Sequence, residues 1–354
     1  MAEAAVVALN ACARPGIHEH AGARLVTPWA ALIRAAIGLR LLVSLVGAGI
    51  MVLLPQPQQS YSLAALLLAP WRHFDALWFT QIAAQGYGSS PLTTAYMPLY
   101  PLLIRLAAII TGGHYLTAAL IVSNLSLIVT IGLIWRWVAE LFNPRIAWRT
   151  VALLLLFPDA FFLVGAYSES TFLALSAGCL LALRRERRLL AGTLALLATL
   201  TRLQGLVLIV PLLLSLRPYA GTLVRVYVKS RSQARFSATI HRSIRVCITG
   251  LAGAALPLLG FALYQRLLTT DLRGGDVFNT YSTQWHIPLQ TPWQTIWDYV
   301  TVIRSPQWHL IDSPRYNYIL LWYLLIALIS LGVLLVSWRR LGWELTIFGV
   351  AGWC

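Results

Sequence analysis

Apolar runs of about 20 residues or more, the length one helix needs to cross a bilayer, recur along this chain and constrain it more than any motif does. The clearest are residues 29–54, 115–135 and 246–268. Surface arithmetic closes the soluble alternatives: 11% of residues are charged and 58% hydrophobic, where a soluble domain carries about 25% charged. Mean hydropathy is +0.71. A soluble enzyme, a secreted disulfide scaffold and a disordered chain are excluded, and an all-α polytopic membrane protein is expected.

The net charge of +15, from 27 Lys and Arg against 12 Asp and Glu, belongs to that architecture. Cytoplasmic loops of membrane proteins gather basic residues. No helix-turn-helix or basic-aromatic pattern accompanies the charge, so nucleic acid is not an expected partner. Cys12, Cys179, Cys247 and Cys354 are scattered, with no CxxC or HxxxH spacing. That spacing predicts neither a disulfide framework nor a metal site. The first residues lack a basic segment followed by an apolar stretch, so the first span is expected to act as the insertion signal.

The chain reads as one transmembrane domain over residues 1–354. Residues 28–54 form the first span, with Arg34 and Arg40 expected to snorkel back toward its starting side. Residues 55–112 form a first outer loop, in which 96–111 is a helix partly sunk in the interface. Residues 115–268 hold further spans, including 149–166, where Pro158 is expected to kink the helix, and 171–183. The cluster RRERR (184–188) and the stretch 216–245, which holds seven basic residues and no acid, both look cytoplasmic. The apolar segment between them, 189–215, is too short for two crossings, and one crossing would separate its flanks. A re-entrant hairpin broken at residues 201–205 resolves the parity, with its tip surrounded by protein or water. The basic stretch is a topology determinant in contact with anionic membrane lipids. A second outer loop follows over 269–316, then last spans over 317–354, where the sequence stops inside an apolar run and reads as truncated at its C-terminus. No tandem or inverted repeat is visible.

Four places carry chemistry. Asp75 is the one acid between Glu19 and Glu140, set among Phe74, Leu77, Trp78 and Phe79 beside the bilayer. Partial desolvation there suits a general base, and Arg72 and His73 could meet a phosphate. An Asp capping a short helix from about Ala76 is an equal alternative. Asp159 and Glu169 lie in FPDAFFLVGAYSESTF near the outer ends of two spans, Asp159 with a structural role and Glu169 balanced between structure and function. Arg202, in LTRLQG with Gln204, costs about 2.5–3.5 kcal/mol to insert. A lipid-linked phosphate would repay it through bidentate guanidinium bonds; so would an ion pair with Glu169 or Asp159. In the second outer loop Gln284, Trp285 and His286 offer the amide, indole and imidazole that sugars bind. An enzyme would depend on Asp75 in the loop; a non-enzymatic transporter or lipid-handling protein would use Asp159, Glu169 and Arg202 as an intramembrane relay.

Taken in order, WRHFDALWFTQIAAQGY, AYMPLYPLLIRL, FPDAFFLVGAYSESTF, LATLTRLQG and, more loosely, TQWHIPLQTPW resemble the PIG-V-like mannosyltransferases, relatives of the second mannosyltransferase of glycosylphosphatidylinositol assembly. The resemblance runs over residues 71–295. It departs at HFD, where relatives carry an aromatic-Trp-Asp sequence, and at Met97, where a Phe is usual. It implies a GT-C-like helix bundle with two large non-cytoplasmic loops containing short interfacial helices. It also implies transfer of mannose from a polyprenyl-phosphate-linked donor to a lipid-linked or membrane-proximal glycan acceptor, with inversion and no certain cofactor. Asp75 would then be the base. Arg202, with Arg72 or His73, would meet the departing phosphate, and Glu169 would orient substrate or hold Arg202. The resemblance implies a site outside the cytoplasm, and the Arg- and Leu-rich composition reads as that of a bacterial plasma-membrane protein, which leaves the acceptor open.

A reporter fused after Gly88 is expected outside the cytoplasm and one after Gln233 inside it, read by phosphatase and fluorescent-protein fusions. Both reporters on one side would break the parity argument.

Overall fold

A computed structural model describes residues 26–53, 68–229, 237–270 and 276–283, with short pieces between 290 and 336. Among the described residues every regular element is helical, which is what lipid demands of a backbone that cannot hydrogen-bond to water. Four helical stretches are long and apolar enough to cross a membrane: Trp29–Leu53, Tyr115–Leu141, Leu203–Val224 and Ile240–Thr270. The protein is an all-α polytopic membrane protein.

The first helix, α1 (Trp29–Leu53), is peripheral, with 6% of its apolar window buried. Of the segment read as loop one, the described part folds as a 3-10 turn (Ala69–Trp71), α2 (Asp75–Gln85), two further 3-10 turns and α3 (Leu99–Ile110). Tyr100, Pro101, Ile104 and Ala108 bury one face of α3, while Leu102, Leu106 and Ile109 stay exposed on the other. Central to the bundle is α4 (Tyr115–Leu141), whose Ala118, Ser123, Leu127, Thr130 and Ile131 are fully covered. Hydroxyls on that face reach neighbouring backbones: Ser123 donates to the Tyr167 carbonyl at 2.9 Å and Thr130 to that of Ser170 at 2.8 Å. Bonds of this kind fix helix register where apolar contact alone gives little preference.

Asn143 caps α5 (Pro144–Leu156), accepting from the Ile146 N–H at 2.9 Å. The span expected over 149–166 is broken: Phe157, held extended by the proline after it, ends α5, and Pro158–Val164, containing the short α6 (Phe161–Val164), turns away by 77°. After α7 (Glu169–Arg184), α8 (Arg188–Thr199) climbs beside the later long helix. The chain reverses at Arg202, whose backbone is extended, and descends through a 3-10 turn and α9 (Ile209–Leu214). Helix occupies much of the basic stretch: α10 covers Arg217–Lys229, and α11 (Ser237–Thr270) starts well before its apolar portion. Apolar runs mark the lipid-facing length only, and helices overrun it. A short α12 (Val277–Thr283) lies against the loop-one turn Pro91–Ala95, where the Thr94 and Thr280 hydroxyls bond at 2.7 Å.

The climb and descent are visible in close contacts. Gly192 abuts the Gly253 backbone of α11, Leu196 and Leu200 cover Gly260, and Leu216 returns to cover Gly250. At the reversal Leu200 and Leu203 pack with Met97, Tyr264, Leu268 and Val277. The Leu99 N–H donates to the Leu200 carbonyl at 2.8 Å, so loop one and the turn are one assembly.

A Cβ on Gly192 would lie 2.4 Å from the Gly253 carbonyl oxygen, whereas Gly38 has open space around it. Gly192→Ala is expected to cost about 1–3 kcal/mol and lower the melting temperature in detergent, with Gly38→Ala unaffected. Equal melting of the two variants would contradict the close α8–α11 packing.

Candidate active site

Asp75 opens α2, and the residue before it is held in an unusual backbone. Phe74 has φ 50°, ψ −133° and a side chain 74% exposed that caps nothing. A bulky residue with positive φ is strained, and such strain collects at functional positions. The cap position is Phe74, and Asp75 takes its hydrogen bond from elsewhere: the Tyr96 hydroxyl donates to Asp75 Oδ1 at 3.0 Å. Helix capping is therefore not what this carboxylate is seen to do.

Tyr96 is itself pinned. Its ring meets Phe79 edge-on with centroids 5.1 Å apart and stacks on Trp78 at 6.2 Å. Its carbonyl accepts from the hydroxyls of Tyr87 at 2.9 Å and Tyr264 at 2.7 Å. Burial, then the charge of Asp75 and the bond to it, push the Tyr96 hydroxyl above the usual phenol range, so it stays a donor. From the other side Tyr167 donates to the His73 carbonyl at 3.2 Å and so fixes the turn that presents Asp75.

Arg202 pairs with Glu169 through Nη1, which also donates to Ser168 Oγ at 3.2 Å. This is the ion pair with Glu169 that the sequence left open as one partner for Arg202. Both side chains remain a little under a third exposed, and Glu169 Oε2 is buried without a described partner. Tyr281 on α12 lies within the fields of both centres: burial raises its hydroxyl, Arg202 lowers it and Asp75 raises it. The Tyr281 hydroxyl donates to the Ala95 carbonyl at 3.2 Å, and its ring packs on the same Met97–Tyr264–Leu268–Val277 cluster as Leu200 and Leu203. Asp159 sits in the 3-10 turn after Pro158.

Beside α2 runs an open groove of about 670 Å³, lined by Arg72, Trp78, Gln81, Gln85 and Tyr115 among others. Trp78 forms its wall and, through the stack on Tyr96, backs onto the Asp75 hydrogen bond. Arg72 and His73 are exposed, as is Gln204 at the start of the turn after Arg202. Gln284, Trp285 and His286 lie outside the described residues.

Sequence reasoning missed Tyr96, Tyr167 and Tyr281, although Tyr96 and Tyr167 stand inside AYMPLYP and AYSES. It also misplaced Arg40. Far from snorkelling toward the start of α1, this side chain lies over the Trp71 ring at 4.1 Å and donates to the Val164 carbonyl at 2.9 Å. The folded loop one supplies a nearer partner than the membrane surface.

A family model described as mannosyltransferase (PIG-V) matches residues 51–327, a span that holds Asp75, Tyr96, Glu169, Arg202 and the groove. No curated protein and no solved structure matches the chain. The family decides between the enzyme and the carrier readings in favour of the enzyme. This multi-pass membrane chain is a glycosyltransferase and belongs to the PIG-V mannosyltransferase family.

Proposed function

We propose that the enzyme moves mannose from a polyprenyl-phosphate-linked donor to a lipid-linked or membrane-proximal glycan acceptor, with inversion, in a GT-C-like bundle at the non-cytoplasmic face of a bacterial plasma membrane. Asp75 accepts the proton of the acceptor hydroxyl as that oxygen bonds to the anomeric carbon. The anomeric bond to phosphate breaks and polyprenyl phosphate leaves with the electron pair. The observation that carries this reading is the Tyr96–Asp75 bond, which occupies one carboxylate oxygen. The other oxygen is assigned to the acceptor hydroxyl.

The groove supplies the acceptor side. Trp78 and Tyr115 offer ring faces and Arg72, Gln81 and Gln85 offer planar hydrogen-bonding groups, and its volume falls in the range of ordinary small-molecule sites. Glu169 orients substrate and holds Arg202, and the Arg202 guanidinium meets the departing phosphate. His73 lies at the turn beside the reacting centre, Gln204 beside Arg202, and Gln284, Trp285 and His286 complete sugar contacts from the second outer loop. No cofactor is invoked.

Asp75→Asn is expected to insert and melt like the wild type but to lose about 10²–10⁴-fold in transfer of labelled mannose from a polyprenyl-phosphate donor in membranes. Transfer at the wild-type rate would remove the base assignment. Arg202→Ala is expected to raise the donor KM, and an unchanged donor KM would leave Arg202 with the ion pair alone.

A further inference from the structure

Arg40 is a partly buried cation on a helix that is otherwise largely exposed along its apolar length. Carboxylates pair with Arg136, Arg184, Arg185, Arg202 and Arg242, yet among the described residues none pairs with Arg40. Of the five N–H groups a guanidinium carries, one is bonded among the described residues, at the Val164 carbonyl. That carbonyl is already shared, since Asn124 Nδ2 also donates to it at 3.1 Å.

The ring beneath Arg40 adds a second unmet donor. Trp71 is 4% exposed, and its indole Nε1 is buried without a hydrogen-bond partner among the described residues. The Arg40 guanidinium lies 4.1 Å from the centre of that ring. Guanidinium and the Asn124 amide therefore crowd one carbonyl oxygen, and the unmet indole N–H belongs to the ring that the guanidinium covers. A cluster rich in donors and positive charge asks for an anion rich in acceptor oxygens, and a tetrahedral phosphate meets that need.

Depth and access fit a lipid. The 27 residues of α4 span about 40 Å, close to a bilayer with its headgroups. Arg40 shares its acceptor with Asn124, nine residues from the Tyr115 end of α4, about 14 Å down. This is the end of the bundle that carries the loop-one groove, because Tyr115 lines it. Ile37, Leu41 and Leu42 on either side of Arg40 are exposed, so the position opens laterally to lipid rather than to water. An intramembrane arginine without a carboxylate beside it is costly, and its counter-anion is to be sought in what the membrane delivers. Trp71 is also the residue next to Arg72 at the groove.

We propose that Arg40 and the Trp71 indole N–H form the seat for the phosphate of the polyprenyl-linked donor, reached from the lipid side of α1. The inference rests on the polyprenyl-phosphate reading above and deepens it. It also relieves Arg202, whose charge is already met by Glu169, of carrying the phosphate alone.

The test uses the full-length chain in nanodiscs and a fluorescent C55 polyprenyl monophosphate as probe, with phosphatidylglycerol as competitor. Arg40→Gln is expected to weaken probe binding about tenfold or more, the scale of a lost charged hydrogen bond. Trp71→Phe, which keeps a ring and loses the N–H, should weaken it less, and Arg40→Lys should recover part of the loss. Asp75→Asn should bind the probe as the wild type does. Folded Arg40→Gln that binds with wild-type affinity overturns the inference while leaving the donor reading intact. Equal displacement by phosphatidylglycerol assigns the seat to bulk anionic lipid and overturns it too. A wild type that binds no polyprenyl phosphate sinks the donor reading itself.

Discussion

Hydroxyl groups donating to backbone carbonyls hold loop one onto the bundle, and the candidate site depends on those bonds. In lipid a carbonyl without a donor costs free energy, so each free helix end or turn draws a nearby side chain. Tyr87 and Tyr264 meet on the Tyr96 carbonyl, Tyr167 reaches that of His73, and Tyr281 that of Ala95 at 3.2 Å. Each of these tyrosines spends its hydroxyl on positioning, and the rings of Tyr167 and Tyr264 are buried in the packing. Tyr96 is the exception, because its hydroxyl goes to Asp75 instead. The carboxylate is thereby held by a group that is itself held at several points.

The same economy explains why the site is assembled from breaks rather than from spans. Asp75 follows a strained turn, Glu169 follows the bend after Pro158, and Arg202 lies where α8 gives out. A continuous helix satisfies its own backbone and has little to offer a substrate. Where it stops, polar groups must find partners, and catalytic side chains can be carried at membrane depth on the protein that supplies them.

Much of the fold was legible because lipid imposes simple lengths. The runs at 29–54 and 115–135 correspond to α1 and α4, and the proline at 158 announced a bend. Less legible was whatever depends on distance across the chain. Nothing near Arg40 in sequence tells that Trp71 and Val164 surround it, and composition cannot say that helix continues into a basic stretch. For the site, Asp75, Glu169 and Arg202 stood out as expensive charges, whereas tyrosines in an aromatic-rich membrane chain do not. Tyr96 becomes visible only when the loop folds back and puts residue 96 beside residue 75.

The account makes Asp75 a base in a single displacement, with the acceptor in the groove and the donor phosphate on the arginine side. The anomeric configuration of the product measures this most directly, since one displacement inverts the sugar and two restore it. Nuclear magnetic resonance of mannoside formed from a donor of known anomeric form should show the opposite configuration. Retention would mean that a protein group bonds to the sugar first, and the assignment of Asp75 as a proton acceptor from the acceptor hydroxyl would be wrong.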